Sequence, residues 1–161
     1  FARLPNPDLK NSNISNIISK VVSDYENNNK SIKFINKLHS DQINLNIDNS
    51  QISRVFQNLI INSIHSIDES KKNNGEIIYL SHEIDNNVVI SLIDNGVGLK
   101  YEREELIKPY FTTKKKIGGS GLGLAIVEKI LFDHHADFIL ANRNDGEVGA
   151  KVSITFEKIL T

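Results

Sequence analysis

The sequence predicts an α/β fold, a two-layer sandwich in which a mixed, largely antiparallel sheet lies against three helices. Three observations lead there. Three segments carry apolar residues at three- and four-residue spacing, and about six others alternate or run β-branched. The helical segments alternate with strand pairs instead of following each strand, unlike a doubly wound fold.

Taken in order, FARLPNPDLK opens the chain with two prolines that break regular helix, so residues 1–12 read as a linker and 13–161 as one domain. Ile14, Ile17, Ile18, Val21, Val22 and Tyr25 then form an apolar stripe behind Asn and Ser caps at 11–13, predicting a helix to about Asn27. SIKFINKL at 31–38 and INLNI at 43–47 alternate apolar with polar residues and read as half-buried strands. Residues 48–50 cap a second helix whose buried face runs Ile52, Val55, Phe56, Leu59, Ile60, Ser63, Ile64, Ile67, ending near KKNNG at 71–75. The β-branched runs 77–84 and 88–93, joined by a turn at 85–87, predict an antiparallel hairpin that delivers Asp94 at its end. Residues 100–117 are charged and weakly periodic, with one short helical turn expected at 102–107. A third helix follows over 122–134, and 138–141 with 148–156 form a closing hairpin around a turn at 143–147.

With 161 residues, 39% of them hydrophobic, the chain can bury the core of one domain. Its 19 Lys and Arg against 20 Asp and Glu leave a net charge of -1, which argues against a broad basic face for nucleic acid. The absence of cysteine rules out a disulfide framework and a thiolate metal site and suits a reducing compartment, so a cytoplasmic location is expected for this domain. No apolar run reaches the roughly 18 residues of a membrane span, and FARLPNP lacks the apolar core of a signal peptide.

Four blocks carry chemistry: NLIINSI at 58–64, DNGVGL at 94–99, KPYFTTKKK at 108–116 and GGSGLGLAIV at 118–127. Asp94 ends a strand, and Gly96 and Gly98 let the backbone turn tightly beside it, so its carboxylate can accept from the exocyclic amine of adenine. A bare Asp-Asn-Gly is also a common turn. Gly118, Gly119, Gly121 and Gly123 precede a helix, where free N–H groups and the helix dipole meet a polyphosphate. Glycine loops also serve as hinges, but this one is not the dinucleotide fingerprint, because no βαβ unit follows. Asn58 and Asn62 stand four apart on one helix face, and amide oxygens suit hard Mg²⁺. In an Asn-rich chain they are equally ordinary surface residues.

Together the four blocks resemble the catalytic ATP-binding domain of bacterial sensor histidine kinases, a branch of the superfamily shared with gyrase B, Hsp90 and MutL and built on the Bergerat-type ATP-binding fold. FARLPNP at 1–7 is similar to the segment that follows the dimerisation and phosphoacceptor helices in kinases of the nitrogen-regulation sensor type. The resemblance spans about residues 13–157. It implies that Asp94 reads adenine beside Gly96 and Gly98, and that Asn62 holds the metal with Asn58 near it. It also implies that Gly119, Ser120, Gly121, Leu122, Gly123 and Leu124 cradle the nucleotide. Phe111, Thr112, Thr113 and Lys114 match the family's FTTK form in a lid over about 100–119, with Lys114 neutralising the terminal phosphate. Ser120 stands where Thr is commoner, keeping the hydroxyl. His65 and Ser66 stand where Lys or Tyr is frequent, which leaves open which side chain of that helix assists the phosphates. The implied cofactors are ATP and Mg²⁺. The implied partners are a histidine-bearing dimerisation domain of the same protein, a downstream response regulator and, for the full-length protein, a second copy in a homodimer.

A histidine kinase needs an acceptor histidine, and in the resembled family it sits on a separate helical hairpin followed by Asn-Pro. None of His39, His65, His82, His134 or His135 has that context, so all five read as structural or surface residues. Two other classes stay open: a hydrolytic ATPase of the gyrase or Hsp90 type, and a nucleotide-binding scaffold without phosphoryl transfer.

Overall fold

The computed structural model describes residues 4–99 and 123–158. Seven strands and three helices occur among them, in the order β1 (Lys10–Asn13), α1 (Ile14–Glu26), β2 (Lys33–Lys37), β3 (Asn44–Ile47), α2 (Asn49–Ser70), β4 (Glu76–Ile84), β5 (Asn87–Asp94), α3 (Gly123–Asp133), β6 (Asp137–Asn142) and β7 (Ala150–Glu157). The expected sandwich is present. Its main sheet runs β2-β4-β5-β7-β6, parallel only between β2 and β4 and antiparallel elsewhere.

Alternation decides which side chains go inward. Ile77 and Tyr79 on β4, Val88, Ile90 and Leu92 on β5, and Val152, Ile154 and Phe156 on β7 all face the helices and are buried. The helices meet them with stripes at the predicted spacing: Ile14, Ile18 and Val21 from α1, Ile52, Phe56 and Ile60 from α2, Val127, Ile130 and Leu131 from α3. At about 0.8 kcal/mol per buried CH₂, this layer is the main source of stability.

Two strands differ from expectation. The polar run KNSN forms β1, which carries no alternating signal, and it pairs antiparallel with β3 in a separate two-stranded sheet. β3 therefore lies outside the main sheet, and its buried residues Leu45 and Ile47 serve the core from the side. The other boundaries fall within a few residues of those predicted. In the β4–β5 hairpin the connection is two residues, Asp85 and Asn86, with Asp85 at φ 55°. No described helix is long and apolar enough to cross a membrane.

Both long helices start at side-chain caps. Asn13 accepts from Ser15 N at 3.1 Å and from Ile43 N at 2.9 Å, so it caps α1 and ties it to β3. Asp48 caps α2 by accepting from Gln51 N at 3.0 Å, and its Oδ2 also accepts from Asp8 N at 2.8 Å. The backbone N–H of Asp48 donates to His134 Nε2 at 3.1 Å, while His134 Nδ1 bonds Ile130 O at 2.8 Å. His134 thus joins the end of α3 to the start of α2. His39 is likewise engaged, its Nδ1 2.6 Å from Ser81 Oγ.

Because the Asp48 side chain accepts from two separate segments, Asp48→Ala is expected to lower stability by about 1–2 kcal/mol. Urea unfolding measures it; a change below the error of the fit would mean the cap contributes little.

Candidate functional site

The site is built where the central strand β5 ends. Asp94 is its last residue and only 4% exposed. An ionised carboxylate out of water needs donors, and three neutral ones converge on it. Oδ1 accepts from Gly96 N at 2.9 Å and Ala150 N at 3.3 Å, and Oδ2 accepts from Ser63 Oγ at 3.0 Å. Burial pushes the carboxyl above its ordinary value of 3.8, opposed by those three hydrogen bonds and by the charge of Arg143. A carboxylate offers about four acceptor positions, so Oδ2 retains capacity for one further donor.

The segment after Asp94 is held from two sides. Asn95 Oδ1 accepts from Glu76 N at 2.7 Å, its Nδ2 donates to Asn74 O at 3.0 Å, and its carbonyl accepts from Lys72 Nζ at 2.7 Å. Ser66 Oγ on α2 accepts from Val97 N at 3.0 Å. Gly96 is required here, because a Cβ would collide with Ser66 Oγ and lie 2.6 Å from the Ser66 backbone carbon. Gly98 adopts φ 82°. From the other side, Asn142 at the end of β6 accepts from Leu99 N at 2.7 Å and donates to Leu99 O at 3.4 Å.

α2 supplies the facing wall. Asn58 and Asn62 are both half-buried, one turn apart on the helix that also carries Ser63 and Ser66. Asn58 Oδ1 lies 3.7 Å from where a Cβ on Gly123 would sit, so it faces the first turn of α3. Its Nδ2 is buried and has no hydrogen-bond partner among the described residues. A buried amide left so costs about 1–3 kcal/mol. Leu124, half-buried, packs against the core behind it.

The structure thus brings Asp94, Gly96 and Gly98 into one group, and Asn58 with Gly123 into a second, joined by α2. Phe111, Thr112, Thr113, Lys114, Gly119, Ser120, Gly121 and Leu122, with the lid expected over 100–119, lie outside the described residues. Four contributors were not singled out as site residues from sequence. The sequence marks Ser63 only as part of the buried face of α2 and Ser66 only as a departure from the resembled family. Asn142 and Arg143 sit at a turn with no distinguishing motif.

The buried carboxylate at the end of the central strand is thus walled by an asparagine-bearing helix. Residues 47–159 match the family described as histidine kinase-, DNA gyrase B- and HSP90-like ATPase, and the chain belongs to it. Within that family its similarity runs to proteins of the NtrY type. It is 30% identical over 161 residues to nitrogen regulation protein NtrY of Azorhizobium caulinodans, covering 98% of this chain and 20% of that protein. It is 32% identical over 157 residues to a Rickettsia bellii protein named as an NtrY-like sensor histidine kinase, covering 97% of this chain and 25% of that one. Among solved structures, the nucleotide-free catalytic domain of histidine kinase ThkA superposes with a TM-score of 0.79 at 26% identity, covering 94% of this chain and 98% of that one. The chain therefore spans a quarter or less of the length of these two sequence relatives.

The raised Asp94 carboxyl sets a pH dependence. A group whose folded value lies above its unfolded one favours folding at low pH and loses that contribution as pH rises through the folded value. Asp94→Asn keeps an oxygen for Gly96 N and Ala150 N and removes the charge. The variant is expected to melt no lower than the parent at pH 7, with the difference between them shrinking as the pH falls towards the ordinary aspartate range. Thermal melts across that range test this; a large drop at neutral pH would mean the ionised form holds the strand end together.

Proposed function

We propose that this chain is the ATP-binding catalytic domain of a two-component sensor histidine kinase, in which bound ATP is positioned so that a histidine on a separate domain takes its γ-phosphoryl group. The observation that carries the reading is Asp94: a buried carboxylate, fully oriented by the protein, with acceptor capacity remaining at Oδ2. Adenine presents a donor amine where guanine presents a carbonyl, so such a group selects ATP. The orphaned Asn58 amide and the N-terminus of α3 supply donors for the phosphate end.

The donor set on α2 fits a hard cation, since Asn62 offers an amide oxygen and the chain has no thiolate. Asn62 would hold Mg²⁺ together with phosphate oxygens, and the ion supplies charge neutralisation on the transferring group. On the sequence alone, main-chain N–H groups over 118–123 receive the phosphates, and Lys114 adds a positive charge at their end. Asn58 is an amide and cannot take a proton from water near neutral pH, so general-base catalysis worth about 10²–10⁴-fold is absent for hydrolysis at that position. Neutral imidazole on an acceptor domain is already nucleophilic near pH 7 and needs such a base less.

The proposed partners follow from this reading. They are the histidine-bearing dimerisation domain, a second copy of the full protein, and a downstream response regulator, all in the cytoplasm. ThkA, which shares the fold, is solved in complex with response regulator protein TrrA.

Calorimetry on the isolated chain is expected to show Mg-ATP binding, reduced about tenfold or more in Asp94→Asn. Unchanged affinity in the folded variant removes Asp94 from the site. With an acceptor domain supplied, Asn62→Ala is expected to abolish labelling of that domain while leaving metal-free nucleotide binding. The isolated chain is expected to hydrolyse ATP far more slowly than about 1 s⁻¹, the low end of ordinary turnover. Faster phosphate release would favour a hydrolytic ATPase, and binding with no labelling of a supplied acceptor domain a nucleotide-binding scaffold.

A further inference from the structure

The turn between β6 and β7 belongs to none of the four sequence blocks, yet it closes directly on the strand end that carries Asp94. Gly149 permits the approach. It sits at φ 148°, and a Cβ there would run into the carbonyl oxygen of Asp94 and stand 2.9 Å from Arg143 Cδ. Arg143 N donates to Gly149 O at 3.0 Å, which shuts the turn. Arg143 Nη1 then donates to the main-chain oxygen of Asp94 at 3.2 Å.

The guanidinium is held on its other edge as well. Nη2 donates to Asp145 Oδ2 at 2.6 Å and Nε to Asp145 Oδ1 at 3.1 Å, a two-pronged pair that fixes the plane of the fork. The Arg143 side chain is only 12% exposed, whereas that of Asp145 is 50% exposed. A long, flexible cation is thereby fixed in one place at low solvent exposure.

We propose that Arg143 is a positioning residue for nucleotide recognition: clamped by Asp145, its guanidinium fixes the main chain of Asp94 and places one positive charge beside the buried carboxylate. This rests on the reading of Asp94 as the base-recognising group. Other charges lie around the strand end: Asp145 and Glu147 on the same turn, Lys72 beyond α2, Glu76 at the start of β4 and Lys151 on β7. The Arg143 charge acts on Asp94, opposing the burial that favours the neutral acid. A protonated Asp94 loses the acceptor an adenine amine requires. ATP binding should therefore fall as pH drops through the Asp94 transition, and removing the Arg143 charge should move that fall to higher pH.

The test is ATP binding by calorimetry over a pH series from neutral down towards the ordinary aspartate range, on the parent chain, Arg143→Gln and Arg143→Lys. Glutamine keeps a donor for the Asp94 carbonyl without charge. It is expected to bind ATP about tenfold more weakly at the acid end, with the deficit narrowing as pH rises. Lysine is expected to restore the parent profile in shape. A purely structural role would weaken binding by one factor at every pH, so parallel profiles overturn the inference, as do superimposable ones. Parent chain that binds ATP at no pH overturns the reading of Asp94 instead. Should Arg143→Gln fail to fold, Asp145→Asn, at an exposed position, frees the guanidinium from its clamp. It is expected to weaken binding about two- to fivefold, and unchanged affinity there counts against the clamp.

Discussion

A carboxylate taken out of water governs this structure. Asp94 is the last residue of the central strand, and leaving it charged without partners would cost several kcal/mol, far more than a domain of this size can tolerate. The partners come from three parts of the chain that are distant in sequence: Ser63 from α2, Gly96 from the segment just beyond, and Ala150 from β7. The contacts from Ser63 and Ala150 each fix an approach of one element to another. The hydroxyl needs α2 to cross the sheet at the end of β5, and the Ala150 amide needs β7 to begin beside it. Much of the spatial arrangement of the sandwich at this end is set by the need to solvate one group.

The same condition explains where bulk is forbidden. A side chain at position 96 would push the strand end off α2, and one at 149 would push the β6–β7 turn off Asp94. Backbone packed this closely around a charged group resists rearrangement, because moving any wall leaves the carboxylate short of a donor. Preorganisation of this kind is what a recognition site needs, since donors already in place need not be ordered when the ligand arrives.

The sequence was legible where one local rule decides the outcome. Asn13 and Asp48 announce helix starts because a side-chain oxygen followed by an apolar stripe has few other uses. The β4–β5 hairpin is announced by two β-branched runs with a polar break between them. β1 was not legible, because KNSN has no apolar face and is a strand only through its pairing with β3. The same non-local pairing takes β3 away from the main sheet, which alternation within its own residues cannot reveal. In the site, Asp94, Gly96, Gly98, Asn58 and Asn62 stood out by residue type and spacing. Ser63, Ser66, Asn142 and Arg143 did not, since a serine on a helix or an arginine in a turn has many ordinary roles. Only their partners across the fold, Asp94, Val97 and Leu99, give them meaning.

One consequence concerns how such a chain can change over evolutionary time. α2 carries Asn58, Asn62, Ser63 and Ser66 along two turns of a single rigid rod, with its start held by Asp48 and His134. An insertion or deletion of one residue between Asn58 and Ser66 would rotate everything beyond it by about 100°, swinging the hydroxyls away from Asp94 and Val97 together. Length is therefore frozen within these nine positions even where residue identity is free to drift.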